Sequence, residues 1–190
     1  TKALNYMTQL ESKMGSSSDY WYNLGVLKAA IGVKAGAEAA YRKSLDLNPN
    51  DVDAMNNLGL MLFKRGDFDG ALPIFEKLYG TSPNSVSAMV NYASCLSQTG
   101  DLKAAAAIWR KILQVEPKRH DVRLDLASAL WQMKDKEGSR AQYAMVLASK
   151  PNDVQALNGL GLYYFAADEL AKAELNFRNA IKVDRNFLPP

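Results

Sequence analysis

A spacing of 34 residues constrains this chain more than any other feature. Pro49, Pro83, Pro117 and Pro151 stand 34 residues apart. Asn23, Asn57 and Asn91 keep that spacing, and their series runs on through Asp125 to Gly159. A small-residue series follows it: Gly25, Gly59, Ala93, Ala127 and Gly161. So do Ala37, Ala71, Ala105, Ser139 and Ala173, and the aromatic series Tyr41, Phe75, Trp109, Tyr143 and Phe177. A shared period of this length specifies stacked copies of one supersecondary unit, each too small to bury its apolar face alone.

Each copy carries two amphipathic helical patterns. In the second copy, Met55, Leu58, Gly59 and Leu62 form an apolar stripe that Gly66-Asp67 ends. Ala71, Ile74, Phe75 and Leu78 form the next stripe. Ser82-Pro83-Asn84 stops it, because proline cannot continue a helix and Ser or Asn can cap the following one. The small residue of the first helix lets its partner approach closely. The large aromatic of the second is expected to fill the space between copies.

These residues resemble the tetratricopeptide repeat, whose pattern is Trp-x2-Leu-Gly-x2-Tyr, then Ala-x3-Phe, then Pro. Trp21, Leu24, Gly25, Ala37, Tyr41 and Pro49 match it in the first full copy. Leu58, Gly59, Ala71, Phe75 and Pro83 match in the second, and Ala93, Ala105, Trp109 and Pro117 in the third. The fourth departs at Arg123 and Ser139. The fifth keeps Leu160, Gly161, Tyr164, Ala173 and Phe177 but has Arg185 for the proline. The resemblance implies an all-α, right-handed superhelical solenoid of antiparallel helix pairs. Its repeats are 18–51, 52–85, 86–119, 120–153 and 154–187, all in one solenoid domain. Residues 1–17 read as the second helix of a truncated upstream repeat plus a loop, since Ala3, Met7 and Leu10 lie one period before Ala37, Tyr41 and Ser44. Residues 188–190 read as the start of another repeat.

Composition removes several function classes. The 190 residues are 48% hydrophobic and 23% charged, an ordinary globular balance. One cysteine and one histidine exclude an intrachain disulfide and a zinc site built from those residue types. Cys95 lies in the helical pattern beside Ala93 and Leu96 and reads as a small core residue. His120 reads as a solvated helix start. The paired acids Asp51/Asp53 and Asp67/Asp69 sit where they favour a helix dipole. The Gly-x4-Gly-Lys-Ser/Thr phosphate loop is absent. The reading is therefore a non-enzyme with no cofactor and no metal. No apolar run reaches the roughly 18 residues of a membrane span. A net charge of +3 does not support nucleic-acid binding. The excess Lys and Arg residues gather in the third and fourth copies as a mixed-charge outer face. No compartment is assigned, and a soluble cytoplasmic setting is the default.

The resemblance places the first helices along a concave groove, with places two, five, six, nine, twelve and thirteen of each copy facing it. Tyr22 and Asn158 hold place five. Asn23, Asn57, Asn91 and Asp125 hold place six, where a side-chain amide can pair with the backbone of any extended peptide. That asparagine series resembles the peptide-holding arm of the O-linked N-acetylglucosamine transferase family. Leu60 stands at place nine, and Phe63, Trp131 and Phe165 at place twelve are aromatic anchor candidates. No copy has a basic residue at places two or six, so the carboxylate clamp of chaperone-binding relatives is not expected. The expected function is a protein-interaction scaffold binding a peptide segment or amphipathic helix of another protein. Self-association through open ends, or service as the targeting arm of an absent catalytic domain, are the alternatives.

Overall fold

A computed structural model describes residue 10 and residues 13–186. The described residues form α-helices joined by short turns, with no strand. The chain divides into two compact units, Thr1–Thr99 and Gly100–Pro190. The expectations for residues 1–17 and 188–190 fall largely outside the described residues. Where described, Gly15 and Ser16 form a turn, and the Trp21 indole N–H donates to the Gly15 carbonyl at 2.7 Å.

The first unit holds α1 (Ser18–Ala30), α2 (Lys34–Leu47), α3 (Val52–Lys64), α4 (Phe68–Thr81) and α5 (Val86–Thr99). Each helix packs on the next, and α3 also touches α5. Its core joins Ala37, Tyr41, Met55, Leu58, Leu62, Ala71, Phe75 and Leu78. A smaller cluster gathers Tyr20, Leu24 and Ala40, with Leu10 and Trp21 against it. Cys95 is buried, and its thiol donates to the Phe68 carbonyl.

The second unit holds α6 (Leu102–Val115), α7 (His120–Gln132), α8 (Lys136–Ser149), α9 (Val154–Ala166) and α10 (Leu170–Val183). Successive helices again pack together, and α7 reaches α9. Trp109, Ile112, Val122, Leu126 and Val146 are buried here.

The close approach of paired helices has a single steric basis. A Cβ built on Gly59 would stand 2.5 Å from the Phe75 ring, and one on Gly25 would stand 2.7 Å from the Tyr41 ring. Gly161 meets the Phe177 ring in the same way. Tyr41, Phe75 and Phe177 thus lie on the small residue of their own pair, whereas Tyr143 lies on Gly159 of the following copy.

Helix boundaries follow capping chemistry. Asp51 and Asp153 accept backbone N–H bonds at the starts of α3 and α9. Asp67, Asp101 and Asp135 do so for α4, α6 and α8, at 2.9–3.0 Å. The turn inside each pair has one left-handed residue: Gly32, Gly66, Gly100, Lys134 and Asp168, with φ from 61° to 94°. Glycine adopts that conformation freely, while Lys134 and Asp168 do so at a steric cost.

Gly66→Ala is therefore expected to destabilise the fold by about 1 kcal/mol, and Lys134→Gly to stabilise it by a comparable amount. Thermal unfolding of the two variants beside the parent checks both signs.

Candidate functional site

In the first unit, three of the expected residues come together. Tyr22 on α1 is half-buried, and its hydroxyl accepts from Asn57 Nδ2 on α3 at 3.4 Å. The Tyr41 ring centroid lies 6.1 Å from that of Tyr22. Burial, then the neighbouring Tyr22, raises the Tyr41 hydroxyl above its ordinary range. Beside this cluster opens a cavity of about 580 Å³. Ala29, Lys34, Tyr41, Asn57, Leu60, Met61, Lys64 and Arg65 line it. A size of this order suits side chains or a small ligand.

The charges around the cavity are unevenly matched. Glu38 on α2 takes Arg65 at 2.6 Å and Arg42 at 2.9 Å, and Asp67 takes Arg65 at 2.9 Å. Hydrogen bonds from Arg65, then from Arg42, hold the Glu38 carboxyl below its usual range. These four groups neutralise one another. Among the described residues no ion pair engages Lys34 or Lys64.

The other asparagines behave differently. Asn23 is exposed on α1. Asn91 on α5 donates to Asn56 Oδ1 at 2.8 Å, so its amide is engaged by the neighbouring helix. Phe63, expected as an anchor, is half-buried. Its ring meets Phe68 at 5.1 Å and Phe75 at 6.4 Å, so intramolecular packing takes this side chain.

In the second unit, no described contact joins the expected residues. Trp131 is half-buried, with the Lys136 ammonium 5.8 Å from its ring centroid. Phe165 is 62% exposed. Asn158 has a buried Oδ1 that accepts no hydrogen bond from the described residues. Gly159 replaces the asparagine for a steric reason: the Tyr143 ring lies where its Cβ would be. Asp125 is reached by water, yet protein crowds it. Loss of solvent, then the nearby Asp121 carboxylate, pushes its pKa up to about 6. A second cavity of about 310 Å³ is lined by Arg110, Leu113, Gln114, Arg123, Leu126 and Gln142, none of them an expected groove residue. Arg123, which replaces an apolar residue of the pattern, donates to Gln142 and to the Pro117 carbonyl, each at 2.9 Å.

Charge counted along the chain points to the third and fourth copies, whereas the fold gathers Lys34, Lys64 and Arg65 at the first cavity. A signal was present. The acidic cap series Asp67, Asp101, Asp135 and Glu169 begins with Val33 in the first copy, and Lys34 follows it. Val33 supplies no side-chain cap to α2.

Tetratricopeptide-repeat family models match residues 22–86, 62–112 and 99–163. The chain belongs to the tetratricopeptide repeat family. Its all-α repeat fold is shared by solved structures of the family. MamA has a TM-score of 0.81 at 22% identity over 90% of this chain and 94% of that one. YrrB, described as a TPR protein with an unusual peptide-binding site, has 0.80 at 17% identity over 95% and 93%. MamA from Desulfovibrio magneticus RS-1 has 0.81 at 17% identity over 88% and 95%. At these identities the likeness establishes the fold alone. A search of curated proteins finds no match. Among the described residues no helix is long and apolar enough to cross a membrane, and no group of three acidic, His or Cys residues is placed to hold a metal ion.

Two predictions follow from the tetratricopeptide geometry of the second unit. Restoring the asparagine series with Gly159→Asn drives a side chain into the Tyr143 ring and should destabilise by about 1–3 kcal/mol, read by denaturant unfolding. Asp125 has a raised pKa in the folded protein, so its ionisation opposes folding. That penalty is absent below about pH 4 and complete above about pH 6. Asp125→Asn should leave the melting temperature unchanged at pH 4 and raise it at pH 8.

Proposed function

We propose that the chain is a protein-interaction scaffold whose first-unit groove holds an extended or helical segment of a partner. Family membership supports a protein-interaction role, and tetratricopeptide repeats are typically non-catalytic scaffolds. The observation that carries the groove reading is the meeting of Tyr22, Asn57 and Leu60 beside a cavity of about 580 Å³. Asn57 commits Nδ2 to the Tyr22 hydroxyl, and its carbonyl oxygen is the acceptor offered to a partner backbone N–H. Asn23 adds an exposed amide on the neighbouring helix. Leu60 and Met61 supply apolar floor. In the second unit, Phe165 is the exposed aromatic anchor, with Asp125, Trp131 and Asn158 in supporting places. Asn91 and Phe63 act mainly through the fold. The repeats of this scaffold are taken as 18–51, 52–85, 86–119, 120–153 and 154–187. The places that a carboxylate clamp requires carry no basic residue.

A few amide contacts at about 1 kcal/mol each and one or two apolar anchors at about 2 kcal/mol imply a modest, micromolar affinity after the entropy of association. A second reading, self-association, is favoured by one observation: Leu170, Leu175, Ile181 and Val183 on α10 are all exposed. A mass that rises with concentration in sedimentation equilibrium would support it.

A photo-reactive amino acid in place of Leu60 should cross-link a partner, whereas the same group in place of Glu76, exposed on α4, should not. Asn57→Ala should weaken capture about fivefold, the loss of one net hydrogen bond. Equal cross-linking from both positions would remove the groove reading.

A further inference from the structure

The cavity of the first unit combines an apolar floor with positive charge that the protein itself does not neutralise. Its floor is Ala29, Leu60 and Met61, from α1 and α3. Its polar wall is Asn57 with the buried Tyr41. Its cations are Lys34, Lys64 and Arg65. Arg65 is consumed by Glu38 and Asp67, so two unmatched ammonium groups remain, one on α2 and one on α3. Neither lysine is required by the fold. Both are exposed, and Lys34 occupies the first turn of α2, where the helix dipole disfavours a cation. At the equivalent place other copies carry Phe68, Leu102 and Leu170, and where Lys136 recurs it is preceded by the capping carboxylate of Asp135. At the place of Lys64 other copies carry Ala30, Gln98, Gln132 and Ala166. The two lysines therefore converge on one cavity from residue choices made separately in two copies.

We infer that this cavity is a specificity site for acidic–apolar segments of a partner protein: an Asp or Glu side chain meets Lys34 and Lys64 while an adjacent apolar side chain fills the floor of Leu60 and Met61. This rests on the groove reading above and assigns the partner's chemistry at that groove. The occupant is a side-chain carboxylate next to an apolar side chain, because the cavity's lining is mainly apolar and carries two uncommitted ammonium groups at one place. The Asn57 carbonyl suits a chain that runs through the site, so the acid is a side chain within the segment. The ammonium groups raise the encounter rate with acidic partners and reject basic ones.

The test is selection of a random peptide library, displayed on phage, against the parent chain and two variants. The variants are Lys34→Glu/Lys64→Glu and Asn57→Ala/Leu60→Ala, each checked for parental helicity by circular dichroism. The parent should enrich peptides with Asp or Glu beside an apolar residue, and the charge-reversed variant should enrich Lys or Arg instead. In a selected peptide made synthetically, exchange of the acid for its amide should weaken binding about tenfold at low salt, the sum of two partly exposed ion pairs, and less at high salt. Enrichment without charge preference, or the same acidic preference in the charge-reversed variant, would overturn the assignment and leave the groove reading intact. Equal enrichment by the parent and the Asn57→Ala/Leu60→Ala variant would overturn both.

Discussion

The contact of an aromatic ring with a helix surface that lacks a side chain sets the rest of this structure. Phe75 on Gly59 and Tyr41 on Gly25 bring two helices closer than any larger residue would permit. That closeness lets a single pair bury residues such as Leu58, Leu62 and Ala71 on one side and offer them to the next pair on the other. Burial at about 25 cal/mol per Å² of apolar surface then accumulates copy by copy, without a central core. Capping by Asp51, Asp67, Asp101, Asp135 and Asp153 supplies the remaining definition, by fixing where each helix begins.

Much of this was legible in the residues. The 34-residue period, the stripes and the Gly66-Asp67 break specify helix pairs because each reports a local rule of backbone or side chain. The site was legible only in part, because a groove residue is chosen against its neighbours. Nothing in the place of Asn91 distinguishes it from Asn57; only the approach of Asn56 commits its amide within the fold. Phe63 looks like an anchor in one dimension, and Phe68 and Phe75 claim it in three. The left-handed turn position carries no single residue type, because Lys134 and Asp168 stand where Gly32, Gly66 and Gly100 set the pattern. The lysines of the first cavity were obscured by counting charge along the chain rather than across neighbouring helices.

The two units divide their electrostatics differently. In the first, Glu38 and Asp67 saturate the arginines and leave the lysines at the cavity. In the second, Glu137 accepts both Arg140 and the Tyr163 hydroxyl, and Lys172 pairs with Glu169 beside the Tyr164 ring. Aromatic faces there are covered by cations of the same unit, Lys136 over Trp131 and Arg140 over Tyr163. Charge at the first cavity is therefore available to a partner, whereas Arg119, Arg140, Lys172 and Arg178 of the second unit pair with acids of their own unit.

The insertion of Tyr143 into the space above Gly159 ties residues of adjacent copies into one choice. Arrays of this kind grow and shrink when whole copies are duplicated or lost. A copy carrying Asn57 in that place could not follow the Tyr143 copy without evicting its ring, and a Gly159 copy placed after another partner would leave a void. At that joint the ring and the small residue fit only as a set.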